Sequence, residues 1–339
     1  MTSRLTSSAR PVRHLRSLRR PTPSLVLSVS VWVVLVAVST VIGSVALGWS
    51  LPRLVAVQAM LPAVAILGGI AASAAVARRQ WMASALGGAV VVSGAALTVP
   101  GRVPATLPTW TTDAPTFTVF SSNLRESNET PARALEPALR SDADVVVLNE
   151  ATARFDEALE ASGLLERYPT VIRSDRERGD VLLTRLSASE VEVERHPDLE
   201  VPAATVQVGD RAVRVLAVHT QSPRDRNLMP AWKDGFDDLA VSINRHDDVV
   251  AVGDFNAAVW NAPLRTFIDF GLVDAHEATG NGWSRSWSFG SGDGGIASVP
   301  IMRIDHSLSR GRVAPLVVTD GEIPGSDHRW LLATYAVQQ

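Results

Sequence analysis

The chain contains no cysteine, which excludes disulfides, thiolate zinc sites, iron–sulfur clusters and cysteine nucleophiles. Lysine is nearly absent too: Lys233 stands alone among 32 basic residues, and the rest are arginine. That bias belongs to composition rather than to function. A third shortage is local. No Asp or Glu precedes Asp113, whereas ten of the basic residues do. Residues 1–112 therefore carry +10, and the remaining 22 basic against all 35 acidic residues leave 113–339 at −13. Such an asymmetry marks a boundary near residue 110.

Charge is also missing from three long apolar runs. Residues 25–49 hold no charged residue and exceed the roughly 20 residues a bilayer-spanning helix needs. Residues 54–77 form a second run, and 81–100 a third whose many Gly and Ala suit a helix packed inside a bundle. The gaps Pro52-Arg53 and Arg78-Arg79-Gln80 suit tight turns. The first run is too long for the core of a cleaved leader, and more runs follow it. Arg4, Arg10, Arg13, Arg16, Arg19 and Arg20 precede the first run, and Arg78 and Arg79 separate the second from the third. The positive-inside bias puts both groups in the cytoplasm, so three spans leave the rest of the chain outside, whereas two, with the third run not crossing, would leave it in the cytoplasm. The apolar runs contain no charge to suggest an ion pathway. The expected layout is a basic cytoplasmic N-terminus (1–24), a multi-pass cell-membrane anchor of three transmembrane helices (25–100), a Pro-rich linker (101–115) and a catalytic domain (116–339).

Beyond residue 115, short β-rich runs recur at 116–120, 144–148, 181–183, 213–218, 248–252 and 331–335. Amphipathic helical patterns fill several gaps, at 131–140, 153–161 and 231–244. Runs such as VVVL and VVAV lack alternation, which suits strands buried on both faces of a layered α/β domain. Polar residues follow the strands: Asn123, then Asn149-Glu150, His219 and Gly253-Asp254-Phe255-Asn256; near the C-terminus stand Arg303-Ile304-Asp305-His306 and Ser326-Asp327-His328. Parallel neighbours would gather these exits at one sheet edge, where α/β ligand sites form. Oxygen donors with histidine and without thiolate favour Mg²⁺, or Mn²⁺ or Ca²⁺, over structural zinc. Taken singly, each residue has a plain structural use. Asn123 suits a turn, Glu150 a helix start and Gly253-Asp254 a turn, and His306, adjacent to Asp305, would face the other way if that segment is extended.

As an ordered set, SSN (121–123), LNE (148–150), VHTQSP (218–223), GDFNA (253–257), IDH (304–306) and SDHRWL (326–331) resemble the endonuclease/exonuclease/phosphatase superfamily. The resemblance covers roughly 116–337 and implies a four-layer sandwich of two mixed β-sheets flanked by helices. It implies that Asn123 and Glu150 are ligands of the divalent cation and that Asp327, the acid next to His328, supports the water or the metal. Asp254 would orient or deprotonate that water, and Asn256 would hydrogen-bond the scissile phosphate. His219 matches the histidine of the deoxyribonuclease I and sphingomyelinase branches, and Asp305 the carboxylate that pairs with the terminal His328. One departure is visible: Asn149 stands where the family usually has glutamine. The expected chemistry is hydrolysis of a P–O bond by in-line attack of water, without a covalent enzyme intermediate.

The substrate stays open between a nucleic acid and a phospholipid headgroup or envelope phosphodiester. The charge of −13 opposes duplex binding, which Lys and Arg drive, whereas tethering at a bilayer favours lipid. Candidate substrate contacts are Arg176, Arg178 and Arg224 in loops, with Trp283 and Trp287 beside the Gly-rich stretch 290–295. A non-catalytic membrane receptor on the same fold is the alternative of another class; loss of Glu150, Asp254 or His328 would have signalled it, and all three are present. Nothing in the sequence identifies a protein partner.

Overall fold

The computed structural model describes residues 23–174, 179–290 and 296–339. Four helices come first: α1 (Pro23–Ala46), α2 (Pro52–Ala59), α3 (Leu61–Ala77) and α4 (Trp81–Thr98). Of these, α1 and α4 are long and apolar enough to cross a membrane, and α2 with α3 make a third crossing if they count as one. The run read as continuous over 54–77 is bent by 77° between α2 and α3. Pro62 explains the break, because its ring displaces the carbonyl four residues earlier and it has no N–H to donate. Small residues let the bundle close. A Cβ on Gly87 would stand 2.6 Å from the Ala72 Cβ, so α3 and α4 approach as only a glycine permits. Arg78 donates from Nη2 to Ser24 O (2.8 Å), which puts the Arg78–Arg79 turn beside the start of α1. The opposite end of the bundle faces the rest of the chain.

Twelve strands follow among the described residues, in two sheets of six. The first contains β1 (Thr116–Asn123), β2 (Val145–Asn149), β3 (Thr170–Arg173), β4 (Val181–Thr184), β11 (Val313–Glu322) and β12 (Arg329–Val337), in the order β11-β12-β1-β2-β4-β3. The second contains β5 (Ala188–Arg195), β6 (Glu200–Val208), β7 (Arg211–His219), β8 (Val249–Asp254), β9 (Val273–Asp274) and β10 (Asp305–Arg310), in the order β5-β6-β7-β8-β10-β9. Both sheets are mixed: β1–β2 and β7–β8 run parallel and the other pairs antiparallel. Val119, Val147, Val215 and Val252 meet between the sheets in a dry core. Helices α5 (Pro131–Ser141), α6 (Asp156–Ala161) and α7 (Leu164–Arg167) cover the first sheet. Helices α8 (Met229–Asn244) and α9 (Ala262–Asp269) cover the second. The architecture is the four-layer sandwich, because strands buried on both faces require apolar cover on both sides.

The four-helix bundle does not hang free of this sandwich. Val38, Ile42, Val45, Val55, Leu61 and Val90 share one apolar core with Trp232, Phe236, Leu264 and Phe267. Hydrogen bonds pin the contact: Trp260 Nε1 donates to Leu97 O (3.1 Å) and Trp283 Nε1 to Thr98 O (2.8 Å). The Pro-rich stretch 101–115, expected as an extended spacer, lies along the domain. It holds short 3₁₀ turns at Pro100–Arg102 and Thr109–Thr112, and Gly282 N donates to Gly101 O (2.8 Å).

Candidate active site

Strand register assembles the polar residues. In the parallel pair β1–β2, Asn123 sits opposite Asn149, and in β7–β8 His219 sits opposite Asp254. β10 runs antiparallel to β8, so its first residue, Asp305, is also opposite Asp254. The ends of both sheets thus converge. Asn123 bridges them, donating from Nδ2 to Asp254 Oδ2 (3.0 Å) and to Glu150 Oε1 (3.1 Å). Gly253 lets Asp254 sit there: its φ is +143° and a Cβ would lie 2.0 Å from Val218 O. Three further site residues that are not glycine hold the left-handed conformation, Arg125 (φ 63°), Glu150 (φ 57°) and Asn256 (φ 46°). Such strain persists where surrounding contacts over-determine the backbone, and it clusters at functional sites.

The electrostatics are those of buried, incompletely balanced charge. Burial pushes the Asp254 carboxyl up, and nearby Asp305 adds to it; His328 and His219 pull back, leaving it at about 6. Burial works against a charged His328, yet Asp305 and Asp254 overcome it and raise that imidazole to about 10. His328 Nδ1 is 2.9 Å from Asp305 Oδ2, and its Nε2 is 3.8 Å from Asp254 Oδ2. His219 is a second such pair. Its side chain is 4% exposed, its Nδ1 lies 3.0 Å from Asp180 Oδ1, and Asp180 outweighs burial to raise it to about 9. Glu150 is drawn the other way. Burial opposes its ionised form, but His219, the Glu126 N–H and Asn123 hold it below the usual range.

These residues open on a cleft of about 560 Å³ whose walls include Glu150, Asp254, Asn256, Asp327 and His328. A second cavity, about 430 Å³, meets it at Asp327 and His328. Of the expected substrate contacts, Arg224 and Trp287 line the cleft, and Trp287 Nε1 donates to Asp327 Oδ2 (3.1 Å). Trp283 is not in the lining of this cleft; it stands at the junction with α4, its ring under the Arg102 guanidinium (5.7 Å). Arg176 and Arg178 lie outside the described residues.

Sequence reasoning missed Asp180, Arg125 and Arg53. Asp180 lies in a loop with no motif of its own. Asn149 donates to it (2.9 Å) and accepts from Asp254 N (3.2 Å), so the shorter amide still reaches both sheets. Arg125 carries one signal only, its position two residues past Asn123; its Nε stands 3.9 Å from Asp327 Oδ1. Arg53 comes from α2, which the continuous apolar run concealed, and it lines the same cleft.

The donor set fits a divalent cation. Glu150 and Asp327 line the cleft with carboxylate oxygens and Asn123 adjoins Glu150, while Asp254, Asp305 and His328, which each offer one atom within 4.8 Å of the others, stand beside them. Asn123 would have to turn its amide over to present Oδ1, which now accepts from Arg125 N (2.9 Å). A model of the Endonuclease/Exonuclease/phosphatase family matches residues 120–328. The chain belongs to this family. Its members are phosphoester hydrolases, nucleases and phosphatases among them. Among solved structures, TDP2 of D. rerio complexed with a single-strand DNA product has a TM-score of 0.55 at 18% identity, over 66% of this chain and 99% of that one. An endonuclease/exonuclease/phosphatase from Bacteroides vulgatus has a TM-score of 0.52 at 16% identity, over 66% and 99%. The 3′ phosphatase NExo from Neisseria bound to a product DNA hairpin has 0.50 at 20% identity, over 64% and 98%. At these identities the likeness is one of fold. None of the curated proteins compared matches this sequence.

Proposed function

We propose that the chain is a membrane-anchored, divalent-metal-dependent phosphoester hydrolase that uses water as its nucleophile. The observation that carries this reading is geometric: two buried, carboxylate-paired histidines, His219 on Asp180 and His328 on Asp305, meet Asp254 where the ends of the two sheets converge beside the cleft. A divalent ion, held by Glu150, Asn123 and Asp327 and chosen among Mg²⁺, Mn²⁺ and Ca²⁺, would act there as a Lewis acid on the phosphoryl oxygens. The chain's own residues supply the rest. Asp254, ionised above about pH 6, orients water and takes its proton as the water oxygen bonds to phosphorus. The P–O bond opposite breaks, and the leaving oxygen takes a proton from an imidazolium. Asp305 and Asp180 hold His328 and His219 charged and aligned for that role. Asn256, Arg125 and Arg224 face the phosphate as donors.

The anchor's polarity supports an extracytoplasmic site. Arg78 and Arg79 lie at the end of the bundle beside the start of α1, and the catalytic domain docks at the other end. By the positive-inside bias, the domain then stands on the outer side. The test of the chemistry is turnover of bis(4-nitrophenyl) phosphate by the full chain in detergent. Mg²⁺, Mn²⁺ or Ca²⁺ should support it and a chelator should abolish it. Turnover unaffected by exhaustive chelation would refute the metal-dependent reading.

A further inference from the structure

The active-site cleft has a wall that the catalytic domain does not supply. Pro52, Val55, Ala56 and Ala59 line it beside Asp254 and His328, and their spacing (i, i+3, i+4, i+7) puts all four on one face of α2. All are apolar and none is larger than valine; Val55 and Ala59 are buried at its base, Pro52 is half-buried and Ala56 is exposed. Arg53, exposed at the rim, makes no ion pair among the described residues. A second part of the lining is apolar as well: Trp287 and Phe289 meet edge-on at 5.1 Å, and Phe289 is 75% exposed.

This wall is fixed in place. Asn261, fully buried, donates from Nδ2 to Val55 O (3.0 Å) and to Gln58 Oε1 (3.1 Å). Gln58 in turn donates to Ser44 Oγ (2.9 Å) and Trp49 O (3.0 Å), which ties α2 to the end of α1. Asn261 follows the catalytic GDFN stretch by five residues, so the machinery and α2 share one buried polar clamp. The 77° bend that turns α2 out of the line of α3 brings it to the cleft.

Resting on the hydrolase reading above, we propose that this site is selective for an amphiphilic phosphoester. The phosphate reaches Asp254 and His328, with Arg53 at the rim. The apolar chain lies between the α2 face and the Trp287–Phe289 pair. It arrives from the bilayer in which the helices joined to α2 stand. A polynucleotide fits these walls poorly. It offers charge along its whole length, whereas here a charge of −13 in 113–339 meets two apolar walls and few arginines.

The test compares two water-soluble diesters that differ only in chain length, methyl and hexyl 4-nitrophenyl phosphate, with the full chain in detergent and Mg²⁺. Each methylene withdrawn from water is worth about 0.8 kcal/mol, close to four-fold in kcat/KM. Three covered methylenes predict a hexyl preference of about 50-fold. Ala56→Trp should cut that ratio at least ten-fold by filling the wall. Val57→Trp, on the other side of α2 and already 38% exposed, should keep it. Equal turnover of the two esters by the wild type would overturn the proposal and leave the hydrolase reading standing. Absence of turnover with either ester would sink both. Nicking of supercoiled plasmid faster than hexyl ester turnover would overturn it in favour of a nuclease.

Discussion

Two clusters of the same residue types lie back to back on β10, and they have opposite characters. Asp305 faces the cleft, where Asp254 and His328 join it. Its neighbour His306 faces away, with Nδ1 2.7 Å from Asp274 Oδ2 and Nε2 2.8 Å from Ala257 O. There, Arg303 Nη1 donates to both Asp274 oxygens (2.9 and 2.8 Å). Burial works against a charged Asp274, but Arg303 and His306 hold its carboxyl well below the usual range. In the first cluster, two buried carboxylates repel and one is pushed up to about 6. Compensated charge is architecture. Charge left partly uncompensated and open to a cavity is chemical capacity.

Substitutions should separate the two. Asp254→Asn removes the group that orients water, and turnover of bis(4-nitrophenyl) phosphate should fall by about 10³-fold or more. Asp274→Asn strands a buried Arg303, and chemical denaturation should show a loss of about 3–5 kcal/mol. Asp180→Asn should have a smaller effect. His219 keeps its place but loses the partner that raises it, so activity should fall roughly ten-fold and its alkaline limit should move toward neutral pH. The pH profile of the wild type without added metal sharpens the same contrast. With His219 raised from 6.5 to about 9, its pairing stabilises the fold below pH 6.5 and that contribution fades as pH climbs through 9. Asp254 works in the opposite sense. Its carboxyl is raised from 3.8 to about 6, so ionising it costs stability as pH rises across that interval. Stability curves of the wild type and His219→Gln should diverge below pH 6.5 and converge above 9.

The apolar strands were visible in the sequence because their burial on both faces writes itself as VVVL or VVAV. Thus β1, β2, β4, β7, β8 and β12 coincide with the expected runs to within a few residues. The polar strand β10 (DHSLSR) was not read as a strand. It is buried by pairing its charges with distant partners, and no local pattern encodes that. The edge strand β5 (ASEVEVER) is mostly exposed and lacks an apolar run. Within the site, GDFN and SDH were visible as motifs. Asp180 and Arg125 were not, since each is a lone residue whose meaning comes from the register of other strands. The α2 wall escaped because hydropathy merges it with α3, and Pro62 was the one local sign of the break.

The most direct measurement pairs the activity and the thermal midpoint of Asp254→Asn in the full chain. The account predicts a loss of about 10³-fold or more in phosphodiester turnover with a midpoint no lower than the wild type's, since a buried, repelled carboxylate has been neutralised. Retained turnover, or a fall in midpoint like that of Asp274→Asn, would contradict it.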